Sequence, residues 1–170
     1  MKNLRHLFAT LALAACAWIA APAHAGALTD YAENKLLDAL MRAQSLGAPA
    51  TQYIGLATDT CSDSTAGAEP SGGAYARVAV TAGLTAWAGT QAAASTTASS
   101  GSGGTTSNNA AITWPASAAA WGNLQSARMY DASTAGNSWW CINLTTPLNV
   151  SGSGFTVSFP AASLQFQIDN

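Results

Sequence analysis

The chain has 170 residues, 49% of them hydrophobic and only 8% charged, with a formal net charge of −2. That length suits one domain with a single core, and the charged fraction lies far below the roughly 25% of an average soluble protein. Beyond residue 25 the cations are Lys35, Arg42, Arg77 and Arg128, too few and too scattered to meet a phosphate backbone, which excludes nucleic acid as an expected partner.

Residues 1–25 read as an export signal and stand apart from the fold. Lys2 and Arg5 form a basic start, and Leu7 to Ala21 is an apolar stretch too short for a confident spanning helix. Ala23, His24 and Ala25 give the small-x-small pattern before Gly26, so cleavage between Ala25 and Gly26 is expected. Leu13 to Cys16 resembles a bacterial lipobox, an alternative route that leaves Cys16 lipidated and the protein held at a membrane. Both routes lead out of the cytosol, to a secreted, periplasmic or cell-surface location. The rest, residues 26–170, is expected to be a single domain.

Loss of this segment removes both histidines, His6 and His24. The processed chain then lacks the commonest general base and metal ligand. A Ser-His-Asp or Cys-His nucleophile is excluded, so neither an enzyme nor a cofactor site is expected. Cys61 and Cys141 remain as an even pair in an oxidising compartment. A bridge between them closes a loop of about 80 residues and contributes roughly 4–5 kcal/mol on the chain-entropy model. The alternative is two buried thiols.

Leu28 to Ser45 reads as an amphipathic helix. Asp30 and Glu33 have capping spacing at the positive end of the dipole, Arg42 suits the last turns, and Gly47 with Pro49 stops the helix. Leu28, Ala32, Leu36, Leu40 and Ala43 form an apolar stripe that Leu37 and Met41 widen. So broad a stripe packs on the chain's own sheet or on a neighbouring subunit. Thr51 to Thr58 is the first strand and Tyr75 to Thr81 the second, separated by a polar loop. The acids of that loop, Asp59, Asp63 and Glu69, lack the spacing of a calcium loop.

Residues 88–109, rich in Ala, Ser, Thr and Gly, read as a long mobile surface loop. Ala110 to Trp114 is a strand that Pro115 stops. Trp121 to Asp131 and Ser138 to Thr146 form a hairpin, with Pro147 marking its end. Trp139, Cys141 and Asn143 alternate with Trp140, Ile142 and Leu144, so both faces of that strand are partly apolar. The last two strands are the clearest. Phe155, Val157 and Phe159, then Leu164, Phe166 and Ile168, recur with period two and point to buried faces. Five of the six tryptophans lie beyond the signal. Within alternating strands they read as core, and if exposed they are platforms for a cell-surface glycan.

The ordered set of segments resembles a family. It comprises the helix Leu28 to Asp38, Tyr53 to Thr58, Ser71 to Thr81 and Asn109 to Pro115. It continues with Trp121-Gly122, Tyr130 to Asn137 and Leu144 to Leu148. Together these resemble the small virion proteins of tailed phages and prophages labelled tail fibre or minor structural protein. The likeness runs from about Leu28 to Asp169. It implies a compact β-sandwich that assembles with copies of itself or with other structural subunits and has no catalytic role. Such virion proteins assemble in the cytoplasm, so an export signal on one implies a bacterial gene that has adopted the fold, or a phage-derived island.

The expected fold is mainly β: an antiparallel, jelly-roll-like β-sandwich with one N-terminal amphipathic helix. The expected function is an exported, phage-tail-like structural protein that forms or decorates an extracellular fibre or particle. Leu37, Met41, Trp139 and Trp140 are its candidate interface residues. The alternative is a monomeric, secreted glycan-binding or adhesive module.

Overall fold

The computed structural model describes residues 17–19 and 27–168, so the expected cleavage site at Ala25 and Gly26, and Cys16, lie outside the described residues. The elements run β1 (Ala17–Ile19), β2 (Ala27–Leu28), α1 (Asp30–Arg42), β3 (Thr51–Ala57) and β4 (Val78–Thr81). They continue with β5 (Thr105–Ser107), β6 (Ile112–Thr113), β7 (Gly122–Tyr130), β8 (Ser138–Val150), β9 (Thr156–Phe159) and β10 (Gln165–Gln167). The mainly β class and the N-terminal helix are thus both present. The largest sheet has the order β2-β8-β7-β3-β4, and two small sheets have the orders β1-β9-β6 and β10-β5. All pairings are antiparallel except that of β1 with β9.

Register decides what each face of the large sheet buries. Leu56 pairs with Ala127 and Ile54 with Met129; Ala127 pairs with Ile142 and Met129 with Trp140. The period of two puts this set on one face. There it shares a core with Ile112, Trp114, Val157, Phe159, Leu164 and Phe166 from the two small sheets and their connections. Trp140 of the large sheet packs on Phe166 of a small one with ring centroids 5.7 Å apart, and edge-on aromatic contacts tie each small sheet to its neighbouring segment. Trp114 meets Phe159 with ring centroids 5.9 Å apart, and Trp87 meets Phe166 at 5.5 Å. Asn108, buried at 1% exposure, satisfies its amide inside this core. Its Nδ2 donates to the carbonyls of Ala110 and Pro160, and its Oδ1 accepts from Leu164 N.

The opposite face carries Gly55, Ser126, Arg128, Tyr130, Cys141 and Asn143, and the loop after β3 folds over it. Ser126 Oγ donates to Asp59 O and Tyr130 OH to Ala66 O. Asn143 Oδ1 accepts from Cys61 N. Cys61 and Cys141 are joined by a disulfide, with Cα atoms 5.5 Å apart. Gly55 is required by close approach, because a Cβ there would lie 2.7 Å from Glu69 Oε1 and 2.8 Å from the Tyr130 ring.

Several expected boundaries move, each for a local reason. The helix starts at Asp30 rather than Leu28, because Thr29 is the cap. Thr29 has an extended backbone, and its Oγ1 accepts from Ala32 N at 3.4 Å. The helix stops at Arg42 rather than Ser45, since Ala43 already takes the left-handed conformation (φ 54°) expected of Gly47, and its N–H donates to Asp38 O. Strand β8 runs through Pro147 to Val150. The proline is tolerated where the register with β7 slips, between Leu124 and Ser126, so no regular ladder bond is required there. Strand β4 begins at Val78, while Tyr75 sits in a turn. The stretch 88–109 is not all loop, since Thr105–Ser107 pairs with β10 and Ser107 and Asn108 are buried. Ile168, expected in the core, is 59% exposed, although its N–H still donates to Gly104 O at 2.9 Å at the end of the β10–β5 ladder.

Candidate functional site

The broad helix stripe divides into a buried and an exposed half. Helix α1 touches β8 and β2, and within it only Ala32 is fully buried. Leu36 is half-buried. Leu37, Leu40 and Met41 are 59%, 72% and 79% exposed, so the second half of the stripe faces solvent. Beside it lies an apolar groove of about 220 Å³, lined by Leu28, Leu36, Leu46, Pro49, Met129, Trp139, Trp140 and Ile168 among others. Three large apolar side chains on one helix face, next to a groove, form an exposed apolar patch.

Of the residues expected at an interface, Leu37 and Met41 stand on this surface and Trp140 lines the groove half-buried. Trp139 is buried at 4% exposure. It packs edge-on against Tyr31 at 5.4 Å and donates from Nε1 to Asp131 Oδ2 at 3.4 Å. Trp139 therefore seats the helix and offers no free ring. Leu40 lies within the stripe expected to pack on the chain's own sheet or on a neighbouring subunit, and in the fold it is left uncovered by the sheet.

A second, polar cleft of about 280 Å³ lies where the start of α1, the loop after β3 and the β7–β8 turn meet. Asp30, Tyr31, Asp63, Thr65, Asn137 and Ser138 are among its lining residues. Its walls are held from below by Arg128, which is fully buried. Nη1 of Arg128 donates to Ser62 O and Thr65 O at 3.2 and 2.7 Å, and Nη2 to Thr60 O at 3.4 Å. Asp59 Oδ2 stands 3.9 Å away. One buried cation thus gathers the carbonyls of a loop that has no apolar anchor of its own.

Asp131 organises the β7–β8 turn. Its carboxylate accepts from Asn137 N at 2.7 Å and from Asn137 Nδ2 at 2.9 Å. Burial pushes this carboxyl up, but the hydrogen bonds from Asn137 and Trp139 outweigh it and hold the group below its ordinary 3.8. A depressed carboxylate adds stability above its unfolded pKa, and this is lost as pH falls through the lower folded value. Acid titration downward from about pH 4 is therefore expected to loosen the turn. The same titration of Asp131→Asn, followed by tryptophan fluorescence, should lack this step; an identical profile would contradict it.

Glu69, Tyr75, Arg77 and Tyr130 form the densest cluster of ionisable groups. Arg77 Nη2 meets Glu69 Oε2 at 2.5 Å, and Arg77 Nη1 donates to Ala132 O and Ala135 O at 2.7 and 2.8 Å. The Arg77 guanidinium carbon lies 3.4 Å from the Tyr130 ring centroid. Tyr75 OH accepts from Leu56 N at 2.7 Å and donates to Glu69 Oε1 at 2.8 Å. Burial pushes both phenols well above their ordinary value, so neither supplies a phenolate nucleophile near neutral pH. The cluster ties β3, β4 and the hairpin turn together. Among the described residues no group of three or more His, Cys, Asp or Glu side chains is placed to hold a metal ion. No helix among them is long and apolar enough to cross a membrane.

A β domain with a locked loop, an exposed apolar helix face and buried ionisable groups committed to its own backbone has the character of a structural protein. Residues 27–167 match the family model of the podophage GP4 fiber I protein gp80, and the chain belongs to that family. This is a family of phage fibre structural proteins, not an enzyme family. No curated protein matches the chain.

Proposed function

We propose that the protein is a structural subunit of a phage-tail-like fibre or particle, exported from the cell, that assembles through the exposed face of α1 and the groove beside it. The reading treats the two small sheets stacked on the large one as a jelly-roll-like sandwich, a rigid block for repeated contact. The observation that carries it is the exposure of Leu37, Leu40 and Met41 on one helix of a fibre-family chain. The Cys61–Cys141 disulfide supports export, because such bridges persist in oxidising compartments.

A glycan platform built from tryptophan draws less support. Trp114, Trp121 and Trp139 are at most 4% exposed, and the ring of Trp140 is packed against Phe166 at 5.7 Å. Sedimentation velocity over a concentration series tests the assembly reading. The purified full chain is expected to form oligomers, and the Leu37→Glu, Met41→Lys double variant to sediment as a monomer with an unchanged circular-dichroism spectrum. A wild-type chain that stays monomeric at every concentration would end the reading.

A further inference from the structure

We infer that β9 offers a strand-accepting edge, held by Ala17–Ile19 in the unprocessed chain and taken, once cleavage before Gly26 removes that segment, by β9 of a second copy. The inference rests on the export and assembly readings and adds a second contact to the helix face. Backbone groups of a strand point alternately to its two sides. Val157 and Phe159 turn theirs to β6, since Val157 O accepts from Trp114 N at 3.0 Å and Phe159 pairs with Ile112. Thr156 and Ser158 therefore turn their N–H and C=O groups the other way. There β1 lies parallel, with Ala17 opposite Thr156, Trp18 opposite Val157 and Ile19 opposite Ser158. In this register the backbone of Trp18 is the one that bridges Thr156 and Ser158.

Sheet edges are normally guarded by charge, proline or a covering segment. Between Asp131 and Asp169 the chain has no charged side chain, and Pro160 lies just past the end of β9. The guard of this edge is β1, and it belongs to the segment expected to be removed. Its loss leaves the N–H and C=O groups of Thr156 and Ser158 unpaired. An antiparallel pair of β9 edges satisfies them when centred on Val157, because Thr156 then lies opposite the copy's Ser158 and Ser158 opposite the copy's Thr156. Other centres fail. Centring on Thr156 sets Ser158 against Gly154, whose N–H is already given to Ser117 O. Centring on Ser158 sets Thr156 against Pro160, which has no N–H. The two-fold pair needs only this one self-complementary edge from each copy.

Trp18→Pro, in the full chain carrying Cys16→Ser, vacates the edge without shortening the chain, because proline has no N–H for Thr156 O. The expected result in sedimentation velocity is self-association at least about tenfold tighter than that of the Cys16→Ser parent. Adding Ser158→Pro should cancel the gain with an unchanged circular-dichroism spectrum, since the N–H it removes faces the edge and not β6. In the Trp18→Pro background, mixing Thr156→Cys and Ser158→Cys chains under mild oxidation should give a reducible dimer. Either chain alone should not, because like positions are then diagonal neighbours, roughly 7–8 Å apart, which a disulfide does not span. No gain from Trp18→Pro, a gain without the mixed crosslink, or equal crosslinking of either chain alone would overturn the inference and leave assembly through the helix face standing. A parent that stays monomeric while Trp18→Pro dimerises would end the helix-face reading and leave this one.

Discussion

Replacing Arg128 with alanine is expected to lower the unfolding free energy by about 3–5 kcal/mol, the scale on which removing one partner of a buried charge network destabilises a protein. The guanidinium is fully buried and donates hydrogen bonds to the carbonyls of Thr60, Ser62 and Thr65. Without it those carbonyls face a cavity, each forfeiting roughly 1–3 kcal/mol of satisfaction unless water enters. Arg128→Lys should recover little, because a single ammonium cannot reproduce the planar fork that reaches several carbonyls at once. Gly67→Ala should point the same way, since Gly67 has φ +83° and a Cβ there would fall 2.7 Å from Arg128 Cδ. Urea unfolding measures all three. An unfolding free energy for Arg128→Ala within about 1 kcal/mol of wild type would show that the loop carbonyls find other partners.

Breaking the Cys61–Cys141 bridge should cost a similar amount, about 4–5 kcal/mol, because it closes a loop of 80 residues in sequence separation. The two effects should not add. Both the bridge and Arg128 hold the segment between Asp59 and Ala68 against the same face of β7 and β8, so either loss frees the segment that the other secures. The double variant Cys61→Ser with Arg128→Ala is therefore expected to lose clearly less than the sum of the single losses. Strict additivity in a denaturant cycle would mean that the loop is held at two independent points. The same coupling predicts that thiol reduction exposes Tyr130, whose hydroxyl donates to Ala66 in that loop at 2.7 Å.

Much of the strand content was legible because period two needs only neighbouring residues. Val157, Phe159, Leu164 and Phe166 alternate with polar partners, and all four are buried. The hairpin of β7 and β8 was legible for the same reason, as was the reading of Trp114, Trp121 and Trp139 as core. Boundaries were less so. Ala43 took the left-handed stop expected of Gly47, because a helix ends where its tertiary support ends and not at the best local terminator. Pro147 sits inside a strand because a register slip removed the hydrogen bond it could not make.

The candidate contact surface was half visible. Leu37 and Met41 stood out as excess apolar residues on a helix already provided with a stripe, but Leu40 lay within that stripe and gave no sign of its exposure. Arg128 gave none at all. It alternates in β7 like any outward-facing polar residue, and its partners lie more than sixty positions upstream.

Composition and alternation in the chain itself determined the mainly β class and pointed to the core aromatics and to Cys61 with Cys141 as the expected pair, since each reading depends on residue type and short-range periodicity. Which helix residues meet solvent, and which carbonyls the buried Arg128 guanidinium reaches, were decided only by tertiary packing. Both depend on where distant segments end in space: the edge of the sheet beside α1 in one case, the carbonyls of a folded-over loop in the other.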